Sequence, residues 1–157
     1  SVSTLGAYAF ANCSSLTSFL IPSSIKSIGN SLFKKCVSLT KVKIYAEIPS
    51  IVDSMFMGCS SLVTISFPES VTSFDKNSFF GCAGLIEMKI PPSISKIGAY
   101  AFSNCTSLMQ MTIPDTVKSI GLHAFKGCTH MIEISVSRQL TEIGKEAFPS
   151  NTVVIKR

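Results

Sequence analysis

Charge is scarce in this 157-residue chain, where Asp, Glu, Lys and Arg make up 15% of the residues, against roughly 25% in an average globular protein. The scarcity does not signal disorder. With 46% apolar residues, there is ample surface to bury against the entropy of ordering the backbone. Long hydrophobic runs are missing too: no stretch approaches the roughly 20 residues that cross a bilayer as a helix. The opening SVSTLGAYAF has no cationic region followed by an apolar run, so no signal peptide is read there. It also has no starting Met and opens partway through a repeat. The expectation is a piece of a longer protein, whose location the missing leader does not decide.

Site chemistry is equally thin. The only two histidines, His123 and His130, stand seven apart at variable positions. There is no Cys-x2-Cys pair, no glycine-rich phosphate loop and no carboxylate pair assigned to one pocket. No catalytic residue, metal ligand or cofactor is therefore expected. The net charge of +5, from 14 basic and 9 acidic residues, would favour nucleic acid only if it gathered on one face.

What the chain has in abundance is periodicity. Phe10, Phe33, Phe56, Phe79, Phe102, Phe125 and Phe148 follow one another at intervals of 23. Three residues after each of the first six comes a cysteine: Cys13, Cys36, Cys59, Cys82, Cys105 and Cys128. Three further on stands Leu16, Leu39, Leu62, Leu85, Leu108 or Met131, and four more apolar columns hold the same register. The stretch Leu-x-x-Ile-x-Ile has the period-2 pattern of a strand with one buried face. Pro22, Pro68, Pro91 and Pro114 end it, since proline has no N–H for a ladder. A second short extended or turn segment should follow, with Gly6, Gly29, Gly98, Gly121 and Gly144 giving the backbone freedom for a tight corner. The Ala-Phe-x-x-Cys segment is expected to return on the outer side as a short helix or 3-10 turn. One unit cannot bury its apolar side chains alone, so units stack at about 4.8 Å and each column becomes a ladder.

The pattern of Leu108 to Cys128, Leu-Met-Gln-Met-Thr-Ile-Pro-Asp-Thr-Val-Lys-Ser-Ile-Gly-Leu-His-Ala-Phe-Lys-Gly-Cys, resembles the 23-residue class of leucine-rich repeat found in BspA-like surface proteins. The resemblance covers essentially the whole chain. It implies a right-handed leucine-rich-repeat solenoid (α/β or mostly β) with a parallel sheet on the concave face and short helical, 3-10 or extended segments on the convex face. It also implies adhesion to host matrix proteins or other cells. Residues 1–157 read as one domain of about six full units and a shortened seventh. In that last unit Thr152–Ile155 would be a final strand closing the stack, with Lys156 and Arg157 as its polar end.

All six cysteines share one core column, so buried free thiols are expected, with neighbouring rungs close enough for a disulfide as the alternative. Free thiols would suit a reducing cytosol, yet thiols sealed in a core are tolerable outside the cell. Asn12-Cys13-Ser14 and Asn104-Cys105-Thr106 fit the N-glycosylation pattern at Asn12 and Asn104. Repeat composition alone would also generate both triplets.

A ligand should meet the outward positions of the sheet. One column is Ser18, Lys41, Thr64, Glu87, Gln110 and Glu133, and the next Leu20, Lys43, Ser66, Lys89, Thr112 and Ser135. This face is polar and mixed in sign, which argues against a backbone-tracking nucleic-acid site. The candidate contacts are Lys41, Lys43, Tyr45, Ser66, Glu87, Lys89, Gln110, Thr112 and Glu133, with Lys41, Lys43 and Tyr45 projecting together from one strand. Met57, Phe80 and Tyr100 on the outer side are a second candidate, for weak self-association. The expected partner is a protein, with no membrane insertion. An extracellular or cell-surface adhesion module leads, ahead of a cytoplasmic interaction scaffold or a structural spacer.

Overall fold

A computed structural model describes residues 2–157. The chain winds into a parallel β-solenoid of about seven turns, with no helix among the described residues. Three walls run along its axis. The concave wall is a ladder of strands from consecutive turns. Its first part comprises β2 (Ser18–Ile21), β4 (Lys41–Ile44) and β6 (Thr64–Ser66). Its second comprises β9 (Gln110–Thr112), β11 (Glu133–Val136) and β13 (Val153–Lys156). Lys41 pairs with Ser18 and Thr64, and Glu133 with Gln110 and Val153, so the register follows the repeat until the shortened last unit.

The second wall is built from two-residue strands. β5 (Ser50–Ile51), β7 (Ser73–Phe74), β8 (Lys96–Ile97), β10 (Ser119–Ile120) and β12 (Glu142–Ile143) form one sheet, and β1 (Thr4–Leu5) with β3 (Ser27–Ile28) another. These are the short extended segments expected from the apolar pair at three-residue spacing.

The third wall corrects an expectation: Ala-Phe-x-x-Cys is neither α-helical nor 3-10. Its amides alternate between two kinds of acceptor. Tyr8, Phe10 and Asn12 donate to the carbonyls of Asn30, Leu32 and Lys34 on the next turn, at 3.0, 3.0 and 2.7 Å. Ala11 and Cys13 between them donate three residues back, to Tyr8 and Phe10. A helix would direct successive amides along its own axis, and here every second one leaves for the neighbouring turn. The backbone achieves this with two left-handed residues per turn. One column is Tyr8, Ser31, Ser54, Asn77, Tyr100, His123 and Glu146, with φ between 49 and 60°. The other is Asn12, Lys35, Gly58, Gly81, Asn104 and Gly127, where three glycines relieve the strain.

The glycines assigned to corners, Gly6 excepted, have another role. A Cβ on Gly29, Gly121 or Gly144 would lie 2.3–2.4 Å from a backbone atom of the preceding turn. They are small because turns meet there, and the left-handed bends lie elsewhere. Asp75, one of the departures in that column, accepts hydrogen bonds from Ser50 (2.9 Å) and Ser73 (3.0 Å), tying two turns together.

Inside the walls the seven phenylalanines stack in one file. Ring centroids are 5.1–5.8 Å apart and planes lie within 20° of parallel. The cysteine column runs alongside, with all six thiols free. Cys36, Cys59, Cys82, Cys105 and Cys128 are buried, and each Sγ–H donates to the Phe carbonyl of the turn before, at 2.9–3.2 Å. Cysteine thus fits the column both as a small apolar group and as a donor to a carbonyl that would otherwise keep one lone pair unpartnered. Cys13 departs from the expected burial and is exposed. Burial pushes the Cys59 and Cys128 thiols up to about 12, and raises those of Cys36, Cys82 and Cys105 as well. Since the thiolate is the reactive form, an aromatic disulfide reagent at pH 8 is expected to titrate one thiol, Cys13, rapidly. The other five should appear only on adding denaturant. Two or more fast thiols in the native protein would contradict the buried ladder.

Arg157 braces the last turn. It donates to the Ile113 carbonyl (2.6 Å), to Ser135 (2.8 Å) and to Asp115 (3.0 Å), reaching back across two turns. β13 itself is exposed along its whole length.

Candidate functional site

The concave wall shows the alternation read from the sequence. Val42 and Ile44 are buried while Lys41, Lys43 and Tyr45 are exposed; Met88 and Met111 are buried while Glu87, Lys89, Gln110 and Thr112 are exposed. The ladder is broken at one rung. Between β6 and β9 the segment 86–90 forms no strand. The break falls one turn beyond a crowded layer, where Phe67 and Phe74 meet Phe79 with centroids 5.3–6.2 Å apart. Phe74 stands where the other units carry Ile or, at Leu5, Leu, and Phe67 where most carry Ile.

At the break the face sinks into an open depression of about 890 Å³. Its lining includes Glu87, Lys89, Gln110, Thr112 and Glu133, five of the nine residues expected at a ligand site. Val63, Ile86, Met88 and Met111 add an apolar floor and edge. Lys41, Lys43, Tyr45 and Ser66 lie on the same wall toward its first rungs, outside the depression. The nine residues therefore divide into a cationic, aromatic end and a mixed-charge hollow.

One apolar column lies beside the nine expected contacts. Val63, Ile86, Met109 and Ile132 come one position before the first exposed column, again at intervals of 23, and all four are largely exposed. Their period was visible. Their outward direction was not, because strict alternation after a buried Leu does not place two successive residues outside.

On the third wall, the turn wall formed by the Ala-Phe-x-x-Cys segments, Met57, Phe80 and Tyr100 are half-buried. Tyr100 belongs to a different column from the other two and packs edge-on against His123, centroids 5.1 Å apart. Lys126 donates to Glu146 at 3.1 Å and holds that carboxyl below the usual range. Asn12 and Asn104 are exposed on this wall, both with φ near 60°. Among the described residues no three His, Cys, Asp or Glu side chains gather as a metal-binding group, and no helix is long and apolar enough to cross a membrane.

A stack of short parallel strands lining a concave face, with one apolar ladder per repeat column, defines the leucine-rich-repeat class of solenoid. The family model described as the BspA type leucine rich repeat region, in six copies, matches residues 1–109 and 50–156. The chain belongs to this family of BspA-type leucine-rich-repeat proteins. Solved structures share the fold. A leucine-rich-repeat protein of T. pallidum aligns over 98% of this chain and 77% of its own, at 24% identity and a TM-score of 0.76. One from Bacteroides ovatus aligns over 99% of this chain at 24% identity and a TM-score of 0.85. One from Eubacterium ventriosum covers 80% at 29% identity and a TM-score of 0.75. This chain spans only 46% and 34% of the latter two. No curated protein matches it significantly.

Proposed function

We propose that the chain is a protein-binding module of a larger cell-surface repeat protein, taking a macromolecular partner on its concave wall. One observation carries this reading. The concave wall combines exposed polar side chains that vary from turn to turn with an open hollow of about 890 Å³, while the repeat-defining Phe and Cys columns form the core. An open depression of this kind suits a protein surface better than a small substrate, which is normally enclosed on most sides. The match to the BspA type leucine rich repeat region supports reading the chain as a surface, adhesive module. Glycans on Asn12 and Asn104 would stand on the turn wall and leave the concave wall free. Free thiols at all six cysteines favour an intracellular interaction scaffold as the second reading.

Immobilised extracellular-matrix proteins tested against the purified chain provide the check. Binding is expected to fall at least tenfold when Lys41, Lys43 and Lys89 are changed together to Glu, and to persist when Lys126 on the turn wall is changed instead. All three lysines are exposed, so the fold should tolerate the reversal. Equal loss from both changes, or none from the first, would move the site off the concave wall.

A further inference from the structure

Val63, Ile86, Met109 and Ile132 form a single file along the solenoid axis, 52, 55, 48 and 66% exposed. The column faces outward on the earlier rungs too, and at Val63 the amides of Val63 and Thr64 both donate to the Thr40 carbonyl, at 3.0 and 3.1 Å. On the two earlier rungs this column holds Thr17 and Thr40, and Thr40 hydrogen-bonds Thr17 across the turns. The apolar file is therefore confined to four consecutive turns, and it borders the depression through Val63 and Ile86. One residue further on, Glu87 and Glu133 stand two rungs apart with Gln110 between them, and neither carboxylate is in an ion pair among the described residues.

We propose that this file is a docking track for an amphipathic α-helix of a partner protein. The helix lies along the solenoid axis, with its apolar stripe on the file and two basic residues seven apart over Glu87 and Glu133. The proposal rests on the concave-wall reading and names the partner's chemistry.

Spacing selects the helix. Rungs repeat at about 4.8 Å, and an α-helix brings one side chain to a given line every 5.4 Å or so. Over the three steps from Val63 to Ile132 the mismatch grows to only about 2 Å, within the reach of a flexible side chain such as Met109. An extended strand along the same track offers a side chain every 6.8 Å or so on one face. It would drift by about 6 Å, more than a full rung.

Charge selects the flank. Two rungs are about 10 Å, the rise of seven helical residues, so lysines at i and i+7 reach both carboxylates. Lys89 lies two residues beyond Glu87 on the same turn, farther from the file. The whole chain carries a net charge of +5. A cationic helix is thus repelled at long range and held only where the local field is negative.

The test uses a labelled synthetic helix of about 18 residues with Leu at i, i+4, i+7 and i+11 and Lys at two flanking positions seven apart. Controls are a scrambled peptide of the same composition and one with Glu replacing both Lys. Fluorescence anisotropy should show saturable binding of the first peptide only. Affinity should drop at least tenfold in the Glu87→Lys, Glu133→Lys double variant and in Ile86→Asp, all at exposed positions. Equal binding of the scrambled peptide, or no loss in either variant, would overturn the helix track. Matrix-protein binding that responds to the concave-wall lysines while the helix does not bind would defeat this inference and leave the module's function standing. Failure of both would remove both.

Discussion

Phe79→Ala is expected to destabilise the chain by about 3–5 kcal/mol, the range for deleting a buried aromatic side chain and leaving its cavity. Phe79 is fully buried and sits mid-file, stacked on Phe56 at 5.4 Å and on Phe102 at 5.1 Å. It also meets the edges of Phe67 and Phe74, at 6.2 and 5.3 Å. Four aromatic neighbours are lost together, and neighbouring rungs cannot close the gap without breaking their own registers. Domains of this size are commonly stable by only about 5–15 kcal/mol, so the loss is a large fraction of the whole. Phe148 is the internal comparison. It is half-buried and stacks on a single ring, Phe125, at 5.8 Å. Phe148→Ala should therefore cost less than half as much. Urea unfolding of the two variants beside the parent chain measures this, read from the midpoints if the slopes agree. Equal costs would mean that the file does not act as a continuous core. In a solenoid each turn is supported only by its neighbours. A break at Phe79 would also uncouple the rungs on either side of the depression, so the central variant should weaken concave-wall binding as well.

The contrast between core and face shows what could be read from residue order. Side chains that must meet their own copies in the next turn hold one spacing, so the Phe and Cys columns, the strand alternation and the stacking direction were all legible. The turn wall was not. Ala-Phe-x-x-Cys has the apolar spacing of a helical turn, and what excludes a helix is the capture of alternate amides by the next turn, a contact between residues 22 apart. The left-handed columns have a strong signal where glycine occurs, at Gly58, Gly81 and Gly127, and a weaker one at Asn12, Asn77, Asn104 and His123; at Lys35 or Tyr100 nothing in the residue type announces a positive φ. The corner glycines show the same limit. Their presence was visible, but whether they serve φ or close approach depends on the backbone of the preceding turn. At the candidate site, the exposed columns came from alternation. The missing strand at residues 86–90 did not, because it arises one turn away from the aromatic layer that accompanies it.

The thiol ladder makes a second large effect, in alkaline stability. Cys59, Cys82, Cys105 and Cys128 are fully buried, and desolvation raises all four above the usual thiol value of 9.0, to about 12 at Cys59 and Cys128. A neutral S–H donates to the carbonyl facing it at 3.0–3.2 Å, whereas a thiolate there would place a charge against that oxygen without water. Above pH 9 the unfolded chain releases these protons and the folded chain keeps them. Unfolding then becomes more favourable as pH rises. The stabilisation is fully present below pH 9 and is lost progressively toward pH 12. Each buried thiol contributes a slope of about 1.4 kcal/mol per pH unit. Four together give about 5 kcal/mol per unit, enough to unfold a typical domain within one to three units of pH. The thiol part is isolated by difference. Cys105→Ala should lower stability at pH 7 through its cavity, yet flatten the decline above pH 9 by about one proton's worth, roughly 1.4 kcal/mol per unit. Urea midpoints at half-unit steps from pH 8 to 11 measure both effects. A parallel decline in the variant and the parent chain would show that the ladder does not set the alkaline limit. A shallower decline would show that the column giving the repeat its register also sets the pH at which the stack comes apart.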